Sequence, residues 1–278
     1  MHRSSVLAIL LLTLAVVTGC SRKAPSPHVF THDVVNRYTP VKNQGQSQSC
    51  WIYAMLAAIE TEHIMRGDSV NLSAAYVEQQ LRREPSAPSS GRGMGATLLM
   101  LLDRYGVTAY DAMPDASKPQ PRWVFMYGAQ YTPQEFAHSV CAPGEYVALT
   151  SDPHQPYGQL IDLDFADNWT HERFLNVHID TLLRRTVRAV EHGHGVCWES
   201  RRHAMAIVGL AHDERQLPYF VMKNSWGTDR PYGGLDYLSF EYFRRHTLAV
   251  SMTREAFLLK NNKGLHKTET ARGKARKL

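Results

Sequence analysis

Long apolar stretches are nearly absent from this 278-residue chain. Residues 6–17 form the longest, which falls short of the ~20 apolar residues that a membrane-spanning helix needs. A multi-span membrane protein is thereby excluded. Cysteine is scarce, at four residues, and follows no zinc-ligand spacing, so neither a disulfide-dense scaffold nor a zinc module fits. The 18 glycines and 14 prolines are scattered without a repeat, which excludes a collagen-like chain. Charge of one sign is also missing from the body. The formal +5 sits at the ends, with +1 from Arg3 and +6 from residues 260–278, leaving −2 for everything between. A basic nucleic-acid-binding surface is not expected. What is present, 44% hydrophobic and 21% charged residues, suits one enzyme-sized unit or two lobes sharing a cleft.

The apolar stretch follows a short basic start (His2, Arg3) and has the length of an export signal. It closes on Thr18, Gly19 and Cys20, small residues before a cysteine. This resembles a bacterial lipobox, in which Cys20 is lipidated and becomes the mature N-terminus. Ser21 after it is similar to the signal for outer-membrane sorting. The expectation is a lipid-anchored protein of the bacterial cell envelope, in the outer membrane and facing the periplasm or the surface. Residues 1–19 are read as signal peptide, 20–37 as a tether, and 260–278 as a basic, disordered tail.

With Cys20 assigned to a lipid, Cys50, Cys141 and Cys197 remain, an odd number, so at least one free thiol is expected. Cys197 lies in an apolar run and reads as a small buried hydrophobe. Whether Cys141 and Cys197 pair is left open. Cys50 differs in its setting. A polar loop, residues 40–49, ends at it, and from there Trp51, Ile52, Met55, Leu56 and Ile59 recur at helical spacing to about residue 65. A cysteine at a helix N-terminus is placed where unpaired N–H groups and the helix dipole favour a thiolate. Gln44, six residues upstream, is a candidate donor to an oxyanion beside that sulfur, together with the Cys50 N–H.

A thiolate needs a basic partner, and the partner needs a third group to orient it. Among the 14 histidines, His203 stands at the head of an apolar run, 203–210, that reads as a buried strand. A second apolar strand, 219–223, runs into Asn224, Ser225, Trp226 and Gly227. Asn224 can accept from one ring nitrogen of His203 while Trp226 shields that bond from water. His192 and His194 form an H-x-H pair without further ligands, so no metal and no cofactor are expected.

In this order, Gln44, Cys50, His203 and Asn224 resemble the site of the papain-like cysteine peptidases. The motifs that carry the resemblance are 40–45 with Cys50-Trp51, and 223–228, and it extends over about residues 38–258. Segments 132–136, 145–149, 156–158, 174–177 and 195–198 are similar to the bleomycin hydrolase and aminopeptidase C branch. The resemblance implies an α+β fold of two lobes: a helical lobe, 38–110, carrying Cys50, and a β-barrel-like sheet lobe, 111–259, carrying His203 and Asn224, with the active-site cleft between them. It implies a Cys50 thiolate paired with a His203 imidazolium, and peptide-bond hydrolysis by a monomer without cofactor, acting on peptide or protein substrates. Gly93, Ala204 and Trp226 are the implied substrate-binding residues. Departures from the family pattern are Ser47 for a disulfide cysteine, Gln48 for a glycine and Arg92 for the first of a glycine pair. Endopeptidase and aminopeptidase remain alternatives, as do an inactive peptide-binding relative and a cell-wall peptide hydrolase.

Overall fold

The computed structural model describes residues 28–126 and 128–259. The expected leader, the lipidation site Cys20 and the basic tail lie outside the described residues. Among the described residues no helix is long and apolar enough to cross a membrane.

The chain enters through a strand, β1 (Phe30–Val35), and then builds a helical lobe around α1 (Cys50–Arg66). Helix α1 is buried along nearly its whole length from Trp51 to Glu62, so it is the axis of the lobe rather than a surface helix. It stops at Gly67, whose φ of 101° only glycine takes up readily, with the Gly67 N–H bonded to the carbonyls of the last turn. Helices α2 (Ala74–Leu81) and α3 (Gly95–Tyr105) pack on it through a core that includes Leu56, Ile59, Leu72, Val77, Leu98 and Leu102. Ser73 starts α2 by accepting the Tyr76 N–H.

A hairpin, β2 (Val124–Met126) and β3 (Ala129–Tyr131), and a helix, α4 (Pro133–Val140), come next and still serve the first lobe, since Val124, Phe136, Ala137 and Val140 belong to the same core. There follow β4 (Tyr146–Thr150), β5 (Leu160–Asp162), β6 (Arg173–Asn176), α5 (Ile179–Glu191), β7 (Val196–Glu199), β8 (Ala204–Asp213), β9 (Pro218–Lys223), β10 (Leu235–Ser239), α6 (Phe240–His246), β11 (Ala249–Thr253) and α7 (Arg254–Leu258). One nine-stranded sheet runs β10-β9-β8-β7-β11-β4-β6-β5, with β1 added to β8. All pairings in it are antiparallel except β4 with β6. The lobes meet where α1 lies against β7 and β8. There Gly195 approaches so closely that a Cβ on it would sit 2.3 Å from the Ala58 carbonyl oxygen.

The fold is the expected two-lobed α+β arrangement, with local differences. Residues 30–35, read as part of a tether, are a strand bonded to the far half of β8. Helices α4, α6 and α7 stand in a region read mainly as strand. For α4 the cause is local: Pro133 is at the first helical position, and Thr132 and Glu135 cap one another reciprocally. Cys141 and Cys197 are free, buried thiols, and the Cys197 side chain belongs to the helical-lobe core. Burial pushes Cys141 up to about 12 and Cys197 well above the usual thiol range. His194 turns Nδ1 to Glu62 at 3.1 Å, and His192 turns its own to the Arg188 carbonyl at 2.9 Å.

Candidate active site

Cys50 is the first residue of α1. Ser49 before it does not cap the helix, and its hydroxyl donates to Glu78 instead. The backbone N–H of Trp51 is left to the Cys50 sulfur, which also takes the N–H of Ala204 from the opposite lobe. These amides favour a thiolate. Burial disfavours it more strongly, and the nearby Glu199 carboxyl adds to that, so the thiol is pushed up despite the amides and Arg92. The helix terminus is thus one of several opposing influences on this thiol.

His203 is held by the turn between β7 and β8. The Ser200 N–H and hydroxyl both donate to the His203 carbonyl, at 2.9 and 3.0 Å, and the Ser200 hydroxyl accepts the His203 N–H at 3.1 Å. The ring lies just before β8 rather than within it. Asn224 follows β9, and its orientation is set twice over. Nδ2 donates to Asp236 Oδ2 at 2.6 Å, and Oδ1 accepts the Ser225 N–H at 2.8 Å. Oδ1 thus faces His203 Nε2, 2.8 Å away, which must carry the proton. Nδ1 is left unprotonated as the basic nitrogen. Trp226 covers this bond, its ring 4.5 Å from that of His203 and tilted by 19°, while the Arg230 guanidinium lies over the outer side of the indole. Burial pushes the imidazole down, against the Asn224 bond and the Asp236 charge.

Cys50, Gly93, His203 and Ala204 line one pocket, with Gln48, Arg92, Asp167, Glu199 and Arg202 also in its wall. Gly93 has a packing reason to be glycine, since a Cβ there would come within 2.8 Å of the Trp51 ring. Gln44 does not line the pocket. Its Oε1 accepts from the Ser225 hydroxyl at 2.6 Å and its Nε2 donates to the Ser47 carbonyl at 2.6 Å, leaving one amide hydrogen uncommitted. Its backbone fastens the loop instead. The Gln44 N–H reaches the Ser225 carbonyl at 2.8 Å, the Gly227 N–H reaches that of Lys42 at 3.1 Å, and Asn43 pairs with Trp226 between them. Arg92, expected to reshape the groove, is clamped by Asp167 through Nε at 3.0 Å and Nη2 at 2.7 Å.

Three residues of the site escape sequence reading. Asp236 sits in an ordinary alternating strand and gives no signal. Asp167 lies in a polar loop. Glu199 had one: an acid closing the apolar run Val196-Cys197-Trp198 faces burial wherever the strand goes. Among the described residues no group of three or more His, Cys, Asp or Glu side chains is arranged to hold a metal.

No model of a known protein family matches the chain. Curated relatives include the probable cysteine protease RD19C of Arabidopsis thaliana, 27% identical over 204 residues, covering 68% of this chain and 50% of the relative. Ananain of Ananas comosus is 26% identical over 202 residues, covering 70% and 51%. The chain spans about half the length of the curated relatives it matches. Among solved structures, PepW from Lactobacillus rhamnosis superposes with a TM-score of 0.62 at 15% identity, over 81% of this chain and 82% of that one. A digestive procathepsin L 3 of Tenebrio molitor larval midgut gives 0.51 at 18% identity, over 83% and 72%. The fold is shared with both.

Proposed function

We propose that this chain, a relative of the papain-like cysteine peptidases in sequence and built on their fold, hydrolyses peptide bonds through Cys50, His203 and Asn224. The observation that carries the reading is the 2.8 Å bond from His203 Nε2 to Asn224 Oδ1, with the Trp226 ring stacked on the imidazole, at a pocket that His203 and Cys50 both line. Burial raises the thiol and lowers the imidazole, which works against the ion pair, while the Trp51 and Ala204 amides at the sulfur and the Asn224 bond at the ring work for it. Nδ1 takes the thiol proton, and the resulting thiolate bonds to the peptide carbonyl carbon. The oxyanion accepts from the Cys50 N–H and from the free amide hydrogen of Gln44. The Nδ1 proton passes to the leaving amine, and a water deprotonated by the same nitrogen cleaves the thioester.

The test is modification by iodoacetamide. Cys141 and Cys197 are buried, so one thiol of the folded domain should react, with peptide hydrolysis lost in step. Equal labelling of wild type and Cys50→Ser, or full labelling with hydrolysis intact, would refute the assignment.

Asp236 acts here as a positioning residue, fixing the Asn224 amide and adding negative charge behind the imidazole. Asp236→Asn is expected to lower kcat by roughly ten- to hundredfold, the scale of losing a charge-assisted hydrogen bond. It should also move the acid limb of the rate profile to lower pH, because the carboxylate supports the imidazolium. A lower kcat with an unmoved pH profile would reduce Asp236 to a merely structural role.

On this reading Cys20 carries the lipid that keeps a monomeric enzyme at the cell envelope, within reach of peptide or protein substrates. Membership of the bleomycin hydrolase branch rests on the sequence segments alone. The aminopeptidase selectivity of that branch depends on a C-terminal carboxylate in the cleft, and residues 260–278 lie outside the described residues.

A further inference from the structure

Glu199, the last residue of β7, lies in the wall of the pocket that holds Cys50 and His203, and peptide hydrolysis by those two leaves it without a task. The residue is buried, with 3% of its surface exposed. Oε1 accepts the Gly95 N–H at 2.8 Å, and Oε2 is buried with no hydrogen-bond partner among the described residues. Burying a carboxyl without a partner costs several kcal/mol, as a charge or as an unsatisfied acid. The charged and titratable groups around it offer no relief. Cys50 faces it from α1 and Cys197 lies beside it on β7. Asp167 adds negative charge and is itself committed to Arg92. His203 and the exposed Arg202 enter from the turn before β8 without pairing to it. Burial and the Asp167 charge accordingly hold Glu199 up at about 7.

We propose that Glu199 receives a cationic substrate side chain, so that the pocket beside Cys50 selects a peptide by a lysine or arginine. The inference rests on the peptidase reading and names its substrate class. An ammonium or guanidinium arriving with the substrate supplies the donor that Oε2 lacks. It also acts on the nucleophile. An ionised Glu199 pushes the Cys50 thiol up, and a cation beside the carboxylate cancels that push. Cationic peptides should therefore gain in kcat as well as in KM.

The test uses N-acylated fluorogenic peptides with lysine, norleucine or glutamate at each of the four positions before the scissile bond. Lysine and norleucine share an unbranched chain and differ in charge. At one position the wild type should favour lysine over norleucine by roughly ten- to hundredfold at pH 8, the range for a hydrogen bond to a charged group. The ratio should shrink at pH 5.5, where Glu199 takes up a proton and lysine does not change. Glu199→Gln, which keeps an acceptor for Gly95, should bring it close to one. A wild type with no such position overturns the proposal, as does a Glu199→Gln enzyme that keeps the preference. Should that variant fail to fold, a wild-type ratio constant between pH 5.5 and 8 overturns it equally. Hydrolysis without preference defeats this inference alone, whereas no hydrolysis of any peptide, N-acylated or with a free N-terminus, defeats the peptidase reading with it.

Discussion

Cys50→Ser is expected to lower kcat/KM by about 10⁴-fold or more on any peptide that the wild type cleaves. The substitution exchanges one atom at the head of α1 and keeps the Ala204 and Trp51 amides around it, so the loss is chemical rather than structural. A serine hydroxyl is a far weaker acid than a thiol. The imidazole that would have to deprotonate it has already been made less basic by burial. His203→Ala should cost a similar factor, and the double variant should be no worse than either single one, because the two groups work as a unit. Active-site titration followed by steady-state kinetics gives the answer. A serine variant retaining a tenth of wild-type activity would rule out Cys50 as nucleophile.

The second large effect concerns stability. Glu60 on α1 is completely buried between two lysines. Lys42 Nζ lies 2.5 Å from its Oε1 and Lys223 Nζ 3.7 Å from its Oε2. The Leu72 N–H reaches Oε1 at 2.7 Å, and the Thr39 hydroxyl bonds to Oε2. Loop, α1, the approach to α2 and β9 thus converge on one carboxylate. Glu60→Ala would strand Lys223, whose ammonium burial has already pushed down to about 8, and is expected to remove about 3–5 kcal/mol of unfolding free energy at neutral pH. The pH dependence follows from the sign of the shift. Burial opposes ionisation, but Lys42 and Lys223 outweigh it and hold the Glu60 carboxyl below the usual range. Its stabilisation is therefore present above the unfolded-state pKa and is lost as pH falls through the lower folded-state value. Urea unfolding at pH 7 and in acid should show the gap between wild type and variant closing as the pH drops. A difference under about 1 kcal/mol at neutral pH would mean the cluster is structurally idle.

What the sequence disclosed depended on how local each signal was. Helix α1 and the cysteine that opens it could be read from spacing alone, and so could the apolar runs that became β8 and β9. Asn224, Ser225 and Trp226 were legible because three unlike residues serve one purpose within a short stretch. Other features were set at a distance. Residues 30–35 read as polar tether because their pairing partner, β8, lies far along the chain, and an edge strand of this kind carries little apolar alternation. Asp236 matters through a hydrogen bond to Asn224 that no spacing rule anticipates. The lowered imidazole and raised thiol are properties of enclosure, and no window of residues reports how deep a side chain will sit. Helix α4 went unread although its start was local, with Thr132, Pro133 and Glu135 forming a capping box at a proline-led first turn.

The two halves of the site are aligned largely through peptide groups, at Lys42 to Gln44 against Ser225 to Gly227. Any amino acid other than proline supplies such groups, so alignment of the halves makes little demand on which side chains line the loop. Substitution can accumulate at Ser47 and Gln48 without shifting one half against the other. Divergence to near a quarter identity with plant relatives is then compatible with an unaltered spatial relation between them. In such a lineage the main chain carries the inherited geometry and the side chains are where novelty enters.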